Sequence, residues 1–165
     1  MSGEAWPRAE LGKVARLRVL AAGLPGAVLE ERIIDAPFDR VWPWVADLER
    51  SVPIFDRLVA SVRVTEREGG RPVRIRARGP GPGRFLSVTF DVDLDDGWCW
   101  MVSRPHLYLV GMAAEAQGSR TRWAHLEGFA MAAPRFLRPV LAATRWRHRR
   151  HVAHDIDGIT RAVSQ

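Results

Sequence analysis

Two spacings of apolar residues run along the chain and predict its elements. From residue 59 to about residue 131, apolar and polar side chains alternate, as in β-strands with one buried face. On either side of this stretch the apolar residues recur every three or four positions, which indicates amphipathic helices. The predicted order is an N-terminal helix, one strand, two short helices, about six antiparallel strands and a long C-terminal helix. This is an α+β arrangement.

The longest predicted helix covers residues 135–163. Its apolar residues lie three or four positions apart: Leu137, Val140, Leu141, Val152, Ile156, Ile159 and Val163. Pro134 suits the first helical turn, where a missing N–H has no partner to lose. The opposite face carries Arg138, Arg145, Arg149, Arg150 and Arg161. We therefore expect one solvated face, and an apolar face around which the strands wrap.

Residues 1–27 predict an N-terminal helical extension ahead of a domain at residues 28–165. The helix is indicated by the spacing of Leu11, Val14, Leu17, Ala21 and Leu24. Pro25 and Gly26 end it. Because basic residues lie among the apolar ones, binding to a membrane surface, a partner protein or a second copy of the chain is an alternative. Packing on its own domain is the favoured interpretation.

The next elements are a strand at residues 28–35 and two short helices. The β-branched strand ends at Ala36 and Pro37, where proline breaks the pattern. The first helix has an apolar face of Val41, Trp42, Val45 and Leu48. A second short helix is predicted near residues 51–58.

Glycine turns divide the alternating stretch into hairpins. Gly69 and Gly70 turn the first one. Arginines of the following strand and aspartates of the strand after it are expected to pair across the outer face of the sheet. The last hairpin runs from His106 to Met131 and turns at Gly118 and Ser119. That register pairs His125 with Met112, Glu127 with Val110 and Phe129 with Tyr108.

Composition limits the classes of function. A chain of 165 residues suits a single core with room for a cavity. With no apolar run near eighteen residues and no signal-peptide pattern, we expect a cytoplasmic protein. Cys99 is the single cysteine, which rules out an intrachain disulfide. The net charge of +6 comes from arginine, with Lys13 the only lysine, and lacks the clustering with aromatics that nucleic-acid binding requires.

Two motifs resemble a known family. Ile34-Asp35-Ala36-Pro37 leads into Val41-Trp42 and then Asp47. Thr121-Arg122 leads into Trp123-x-His125-x-Glu127-x-Phe129 before the long helix. Residues 28–163 resemble the START-like or SRPBCC superfamily, especially its bacterial polyketide cyclase/dehydrase-like branch.

The resemblance implies a helix-grip fold like that of Bet v 1. In this fold a curved antiparallel sheet of about six to seven strands wraps around the C-terminal helix and leaves a cavity between them. The family includes lipid carriers and cyclases, so the fold alone does not decide the reaction.

The resemblance also implies which residues face the cavity. It selects His106, Tyr108, Trp123, His125, Glu127 and Phe129. In an enzyme of this type, His125 or Glu127 would move protons and Tyr108 or Arg104 would polarise a carbonyl. The alternative is that these are core residues that satisfy one another's hydrogen bonds. Further ligand contacts are expected from Trp98, Trp100, Thr144 and His148.

A second group of polar residues lies on the C-terminal helix: His148, His151, His154 and Asp155. His151 and Asp155 are one turn apart, a spacing that can hold a metal. Because arginines surround them, we expect no metal, and instead a solvated face on which His151 pairs with Asp155.

The leading hypothesis is binding of a hydrophobic or aromatic small molecule, lipid-like or polyketide-like, between the sheet and the C-terminal helix. The first alternative is a polyketide cyclase/dehydratase-like enzyme that cyclises a poly-β-ketone. The second is a partner- or membrane-binding module that uses the basic N-terminal helix. No cofactor is expected, and a homodimer remains open.

Overall fold

The computed structural model describes residues 10–24, 26–80, 87–129 and 138–164, with side chains omitted for residues 138–144. The predicted residues Met131 and Pro134 fall outside this part of the chain. The elements are α1 (Lys13–Gly23), β1 (Val28–Ile34), α2 (Phe38–Ala46), α3 (Leu48–Phe55), β2 (Ser61–Glu68), β3 (Arg71–Arg78), β4 (Ser87–Asp95), β5 (Trp98–Arg104), β6 (Tyr108–Gln117), β7 (Arg120–Phe129) and α4 (Arg138–Val163).

The seven described strands form one antiparallel sheet in the order β1-β7-β6-β5-β4-β3-β2. β1 and β2, which are consecutive in sequence, lie at opposite edges, and α2 and α3 connect them. α4 packs against β1, β7, α2 and α3. The predicted α+β class, with an antiparallel sheet around a C-terminal helix, is confirmed.

The register predicted for the last hairpin is also confirmed. His125 pairs with Met112 and Glu127 pairs with Val110. Gly118 turns the chain with φ of 63°, a left-handed conformation that glycine adopts without a steric penalty. The turn therefore determines which residues of β7 lie on each face of the sheet.

Apolar residues pack in two separate layers, one on each face of the sheet. The inner layer fills the space between the concave face and helices α2, α3 and α4; its largest buried side chain is Trp123. The outer layer lies between the convex face and α1, with Val14 and Leu17 fully buried. A single sheet thus has apolar residues on both faces.

Charged residues on β3, β4 and β5 pair across strands, as predicted. Arg74 lies directly opposite Asp91, and its Nε is 3.1 Å from Asp91 Oδ1. Arg104 Nε is 2.5 Å from Asp91 Oδ2. These contacts lower the pKa of Asp91, the hydrogen bond from Arg104 contributing most.

Two predicted boundaries are wrong for local reasons. The second short helix occupies Leu48–Phe55 rather than residues 51–58, because Asp56 Oδ1 accepts the Leu58 N–H at 2.7 Å and forms a turn. The sixth strand begins at Tyr108 rather than at residue 106, because Ser103 Oγ accepts the Tyr108 N–H at 2.9 Å and closes a turn there. The Arg104–Pro105 peptide within this turn is cis.

No described helix has both the length and the apolar content needed to cross a bilayer.

Candidate functional site

Six polar side chains converge where α4 crosses the concave face of the sheet. We call them the polar cluster: Asp56, Tyr108, His125, Glu127, His151 and Asp155. Asp56 follows α3, Tyr108 begins β6, His125 and Glu127 share one face of β7, and His151 and Asp155 lie one turn apart on α4. His125, Glu127 and Asp155 are at most 3% exposed. Buried polar groups this close together are uncommon in a structural core.

Glu127 lies at the centre of the cluster. Its Oε2 accepts a hydrogen bond of 2.6 Å from the Tyr108 hydroxyl. Its Oε1 lies 3.4 Å from His125 Nε2 and 3.6 Å from His151 Nε2. One carboxylate thus contacts a strand histidine, a helix histidine and a tyrosine.

His151 joins Glu127 to two further carboxyl groups. Its Nε2 lies 3.4 Å from Asp155 Oδ2 and 3.6 Å from Asp56 Oδ1. The predicted pairing of His151 with Asp155 is present, but the predicted solvated face is wrong, because Asp155 is fully buried. The helix turns this pair toward the sheet.

The environment separates the pKa values of the three carboxyl groups. Burial raises the pKa of Asp155 to about 9, and the nearby Glu127 and Asp56 add to the shift. Burial also raises the pKa of Asp56. Burial acts on Glu127 in the same direction, but the adjacent His125 and His151 and the Tyr108 hydrogen bond outweigh it, so the pKa of Glu127 is lowered. Glu127 is therefore ionised at neutral pH, whereas Asp155 retains its proton.

Burial raises the pKa of the Tyr108 phenol, and the nearby charge of Glu127 raises it further. The phenol therefore stays protonated at neutral pH and remains a hydrogen-bond donor.

Several buried atoms of the site have no hydrogen-bond partner among the described residues. They are Trp123 Nε1, both ring nitrogens of His125 and both carboxyl oxygens of Asp155. Leaving a buried polar atom unsatisfied costs about 1–3 kcal/mol. Such atoms mark a place where another molecule or ion can supply the missing contacts.

The polar cluster stands between two spaces. On the inner side is a narrow cavity of about 50 Å³, whose wall includes Phe55, Met101 and Met112 and whose polar end is formed by Asp56, His125 and Glu127. On the outer side is an open groove of about 930 Å³ along α4, lined in part by the partly buried side chains of Tyr108 and His151. A molecule in the groove would meet the cluster from outside, and a small group could reach it from within.

Three predicted ligand contacts lie beside the cluster or in the core near it. Phe129 is edge-on to Tyr108, with ring centroids 5.9 Å apart, and lies 5.7 Å from the His148 ring. His148 lines the groove. Trp123 is fully buried against Trp42, with centroids 6.4 Å apart, and acts as core. The side chain of Thr144 falls outside the described part of the chain.

Three other predicted ligand contacts do not reach the site, and these predictions are wrong. Trp98 and Trp100 lie on the convex face beneath α1, with rings stacked at 6.2 Å and Arg16 positioned 4.3 Å over Trp98. Alternation along β5 points them away from the concave face, where Met101 lies. His106 is exposed in the turn before β6, because that strand begins two residues later than predicted.

Sequence reasoning missed Asp56, His151 and Asp155 as site residues. Asp155 lies beside Val152, Ile156 and Ile159 on the helix, so its position next to the buried stripe was a signal available from the sequence. No comparable signal marks Asp56, which reaches the cluster only because α3 packs against α4.

Neither the family models nor the curated proteins give a match to this chain. Solved structures, in contrast, do match this chain. TTHA0849 from Thermus thermophilus is 24% identical, with a TM-score of 0.64 over 83% of this chain and 96% of that one. A START superfamily protein from Mycobacterium smegmatis is 15% identical, with a TM-score of 0.62 over 83% and 98%. The chain has the START-like helix-grip fold.

The Zhui aromatase/cyclase from Streptomyces sp. R1128 is also similar to this helix-grip chain. It is 18% identical, with a TM-score of 0.62 over 84% of this chain and 93% of that one. At these identities the likeness establishes the fold alone. The site must therefore be interpreted from its own residues.

Proposed function

We propose that the protein binds a hydrophobic or aromatic small molecule that carries a polar group. The body of the ligand lies in the groove along α4, and its carbonyl or hydroxyl oxygen contacts the polar cluster. The observation that carries this proposal is the set of buried, unpartnered atoms on His125 and Asp155 at the junction of groove and cavity. A ligand oxygen would accept from His125 or from protonated Asp155.

The sizes of the two spaces support this division of the ligand. Binding pockets for small molecules measure about 300–1,000 Å³, and the groove of about 930 Å³ is within that range. The inner cavity of about 50 Å³ holds little more than a water molecule, which occupies about 30 Å³ in the liquid. Only a small polar group therefore enters it.

The groove also suggests the charge of the ligand. Arg57, Arg147 and Arg150 line it together with Trp146. An aromatic side chain beside guanidinium groups favours a flat ligand with an acidic substituent. We therefore expect aromatic acids or phenols to bind better than neutral lipids of the same size.

Native mass spectrometry of freshly purified protein tests the proposal. We expect a bound species of a few hundred daltons that is released on denaturation. His125→Gln should weaken its retention, whereas His106→Gln, which alters an exposed imidazole outside the site, should not. If wild-type protein carries nothing and also fails to bind the anionic aromatic probe 1-anilinonaphthalene-8-sulfonate, the proposal is wrong.

A cyclase-type enzyme is the second candidate, and the electrostatics of the cluster favour it. Neighbouring groups whose pKa values are driven apart are typical of acid–base pairs. Here Glu127 is ionised, Asp155 is protonated, and the Tyr108 hydroxyl is 2.6 Å from Glu127. Glu127 would remove a proton next to a carbonyl, and Asp155 would donate one to the resulting oxygen. If so, Glu127→Gln should abolish turnover of a poly-β-ketone mimic and leave its binding within a few fold.

A further inference from the structure

The polar cluster contains the donor atoms of a metal site. Ligand atoms of Asp56, His151 and Asp155 all lie within 4.8 Å of one another, and so do those of His125, Glu127 and Asp155. Asp155 belongs to both groups. His151 Nε2 also lies 3.6 Å from Glu127 Oε1, so the two groups adjoin.

The distances fit coordination better than hydrogen bonding. Hydrogen bonds from nitrogen to oxygen measure about 2.7–3.2 Å. The four contacts of the imidazole Nε2 atoms with carboxylates measure 3.4, 3.4, 3.6 and 3.6 Å. Tetrahedral ligands with bonds of about 2.0–2.1 Å lie about 3.4 Å from one another. The spacing is therefore that of neighbouring ligands around an ion.

The buried, unpartnered atoms point to the same conclusion independently. His125 is 1% exposed and Asp155 is 0% exposed, and none of their side-chain nitrogens or oxygens has a hydrogen-bond partner in the described chain. Both residues face the centre of the cluster. The Tyr108 hydroxyl binds Glu127 Oε2 and leaves Oε1 toward the histidines, as an outer-shell group does for a ligating carboxylate.

Charge also favours a cation at this place. The carboxyl groups of Asp56, Glu127 and Asp155 lie close together, and a bound cation would displace the proton that Asp155 otherwise holds. Of the arginines that led us to predict no metal, Arg149 points elsewhere. Arg149 is exposed on another face of α4 and pairs with Glu30 at 2.9 Å.

We propose that His125, Glu127 and Asp155 bind one divalent transition-metal cation between β7 and α4, with His151 and Asp56 beside the site. Imidazole and carboxylate ligands without a thiolate suit Zn²⁺, Fe²⁺ or Mn²⁺. The ion would lie between the groove and the inner cavity. Metal binding would use the same atoms of His125 and Asp155 as the proposed small-molecule contact, so the two proposals are tested separately.

The test uses full-length protein stripped with a chelator and titrated with Zn²⁺ by calorimetry and with Co²⁺ by visible absorption. We expect one ion per chain. His125→Gln and Asp155→Asn each remove a ligand and should lower the affinity more than 100-fold. Tyr108→Phe removes an outer-shell contact and should lower it about 10–100-fold. His154→Gln on the same helix and His106→Gln in the exposed turn are the matched controls and should bind as wild type does.

Two results would overturn the proposal. One is folded wild-type protein, verified by circular dichroism, that binds no stoichiometric metal or gives only the weak Co²⁺ spectrum of the hydrated ion. The other is unchanged affinity in both ligand variants. Because the Co²⁺ spectrum is recorded on wild type, the test does not depend on the variants being stable. Ligand retention measured on the chelated protein separates a failure here from a failure of the small-molecule proposal.

Discussion

The packing of α1 on the convex face can be tested by a double-mutant cycle between Leu17 and Gly111. Leu17 is fully buried between α1 and the sheet. A Cβ built on Gly111 would lie 2.6 Å from Leu17 Cδ1 and 3.1 Å from the Trp100 ring. Glycine is therefore needed in β6 because α1 approaches it closely.

The expected magnitudes follow from these contacts. Leu17→Ala leaves a cavity and should lower the free energy of unfolding by about 2–5 kcal/mol. In a domain of this size, about 3 kcal/mol corresponds to a fall in Tm of roughly 6–12 °C. Gly111→Ala alone overpacks the same site and should cost about 1–3 kcal/mol. In the double variant the new methyl group occupies space that Leu17 has left, so the combined loss should be smaller than the sum by at least about 1 kcal/mol.

Urea unfolding, followed by far-ultraviolet circular dichroism and tryptophan fluorescence, measures all four proteins. Val19→Ala is the matched control on the same helix: Val19 is 60% exposed, so its truncation should change stability by less than about 0.5 kcal/mol. Two results would show that α1 does not pack where we place it. One is a loss of unfolding free energy in the double variant that equals the sum of the two single losses to within about 0.5 kcal/mol. The other is a loss below about 1 kcal/mol for Leu17→Ala.

Three further predictions concern single residues. Burial raises the pKa of the Cys99 thiol, so native protein should resist alkylation by iodoacetamide, whereas protein in urea should react fully. Rapid labelling of the native protein, measured by mass spectrometry, would contradict this. Tyr108→Phe removes the hydrogen-bond donor to buried Glu127 and should lower the free energy of unfolding, measured in urea at pH 7, by about 1–3 kcal/mol. An unchanged value would mean that this hydrogen bond is not formed. A Cβ on Gly128 would lie 2.9 Å from Ala27 Cα, so Gly128→Val should lower the free energy of unfolding by at least about 1–3 kcal/mol. A melting temperature equal to that of the wild type would refute this close approach.

The sequence predicted the sheet well because strand register depends on local features. Gly118 determines the turn of the last hairpin, and the strict alternation of β7 then fixes which residues lie together on one face. The sequence alone therefore places His125 and Glu127 side by side. The charge pairs of β3 and β4 follow from the same alternation.

Alternation does not tell which face of a strand is the inner one when both are apolar. In β5, Trp98 and Trp100 alternate with Cys99 and Met101, and all four are shielded from solvent. The aromatic pair was predicted to contact a ligand in the cavity, but in the structure α1 covers this pair on the convex face. The presence of a helix on the convex face is long-range information that the pattern of β5 does not contain.

The helical part of the site was predicted less well for a related reason. His151 and Asp155 are surrounded in sequence by arginines, which suggested a solvated face. The elements that pack against a helix decide which of its surfaces is buried. For this part of α4 these elements are β7 and the end of α3. Asp56 reaches the cluster from a turn about a hundred residues earlier in the sequence, so no local pattern predicts that approach.

The order of strands in the sheet also determines when the protein can fold during its synthesis. Among the described strands β1 pairs with β7 alone, so Val28 cannot form its strand pairing until Glu127 has left the ribosome. α1 has the same constraint, because its main contacts are with β6 and β7. Pairings so distant in sequence are slow to form, since the intervening loop must close first. α1 and β1 therefore remain without their partners until nearly the whole sheet has been synthesised, and for that period their apolar side chains are available to chaperones or to neighbouring nascent chains.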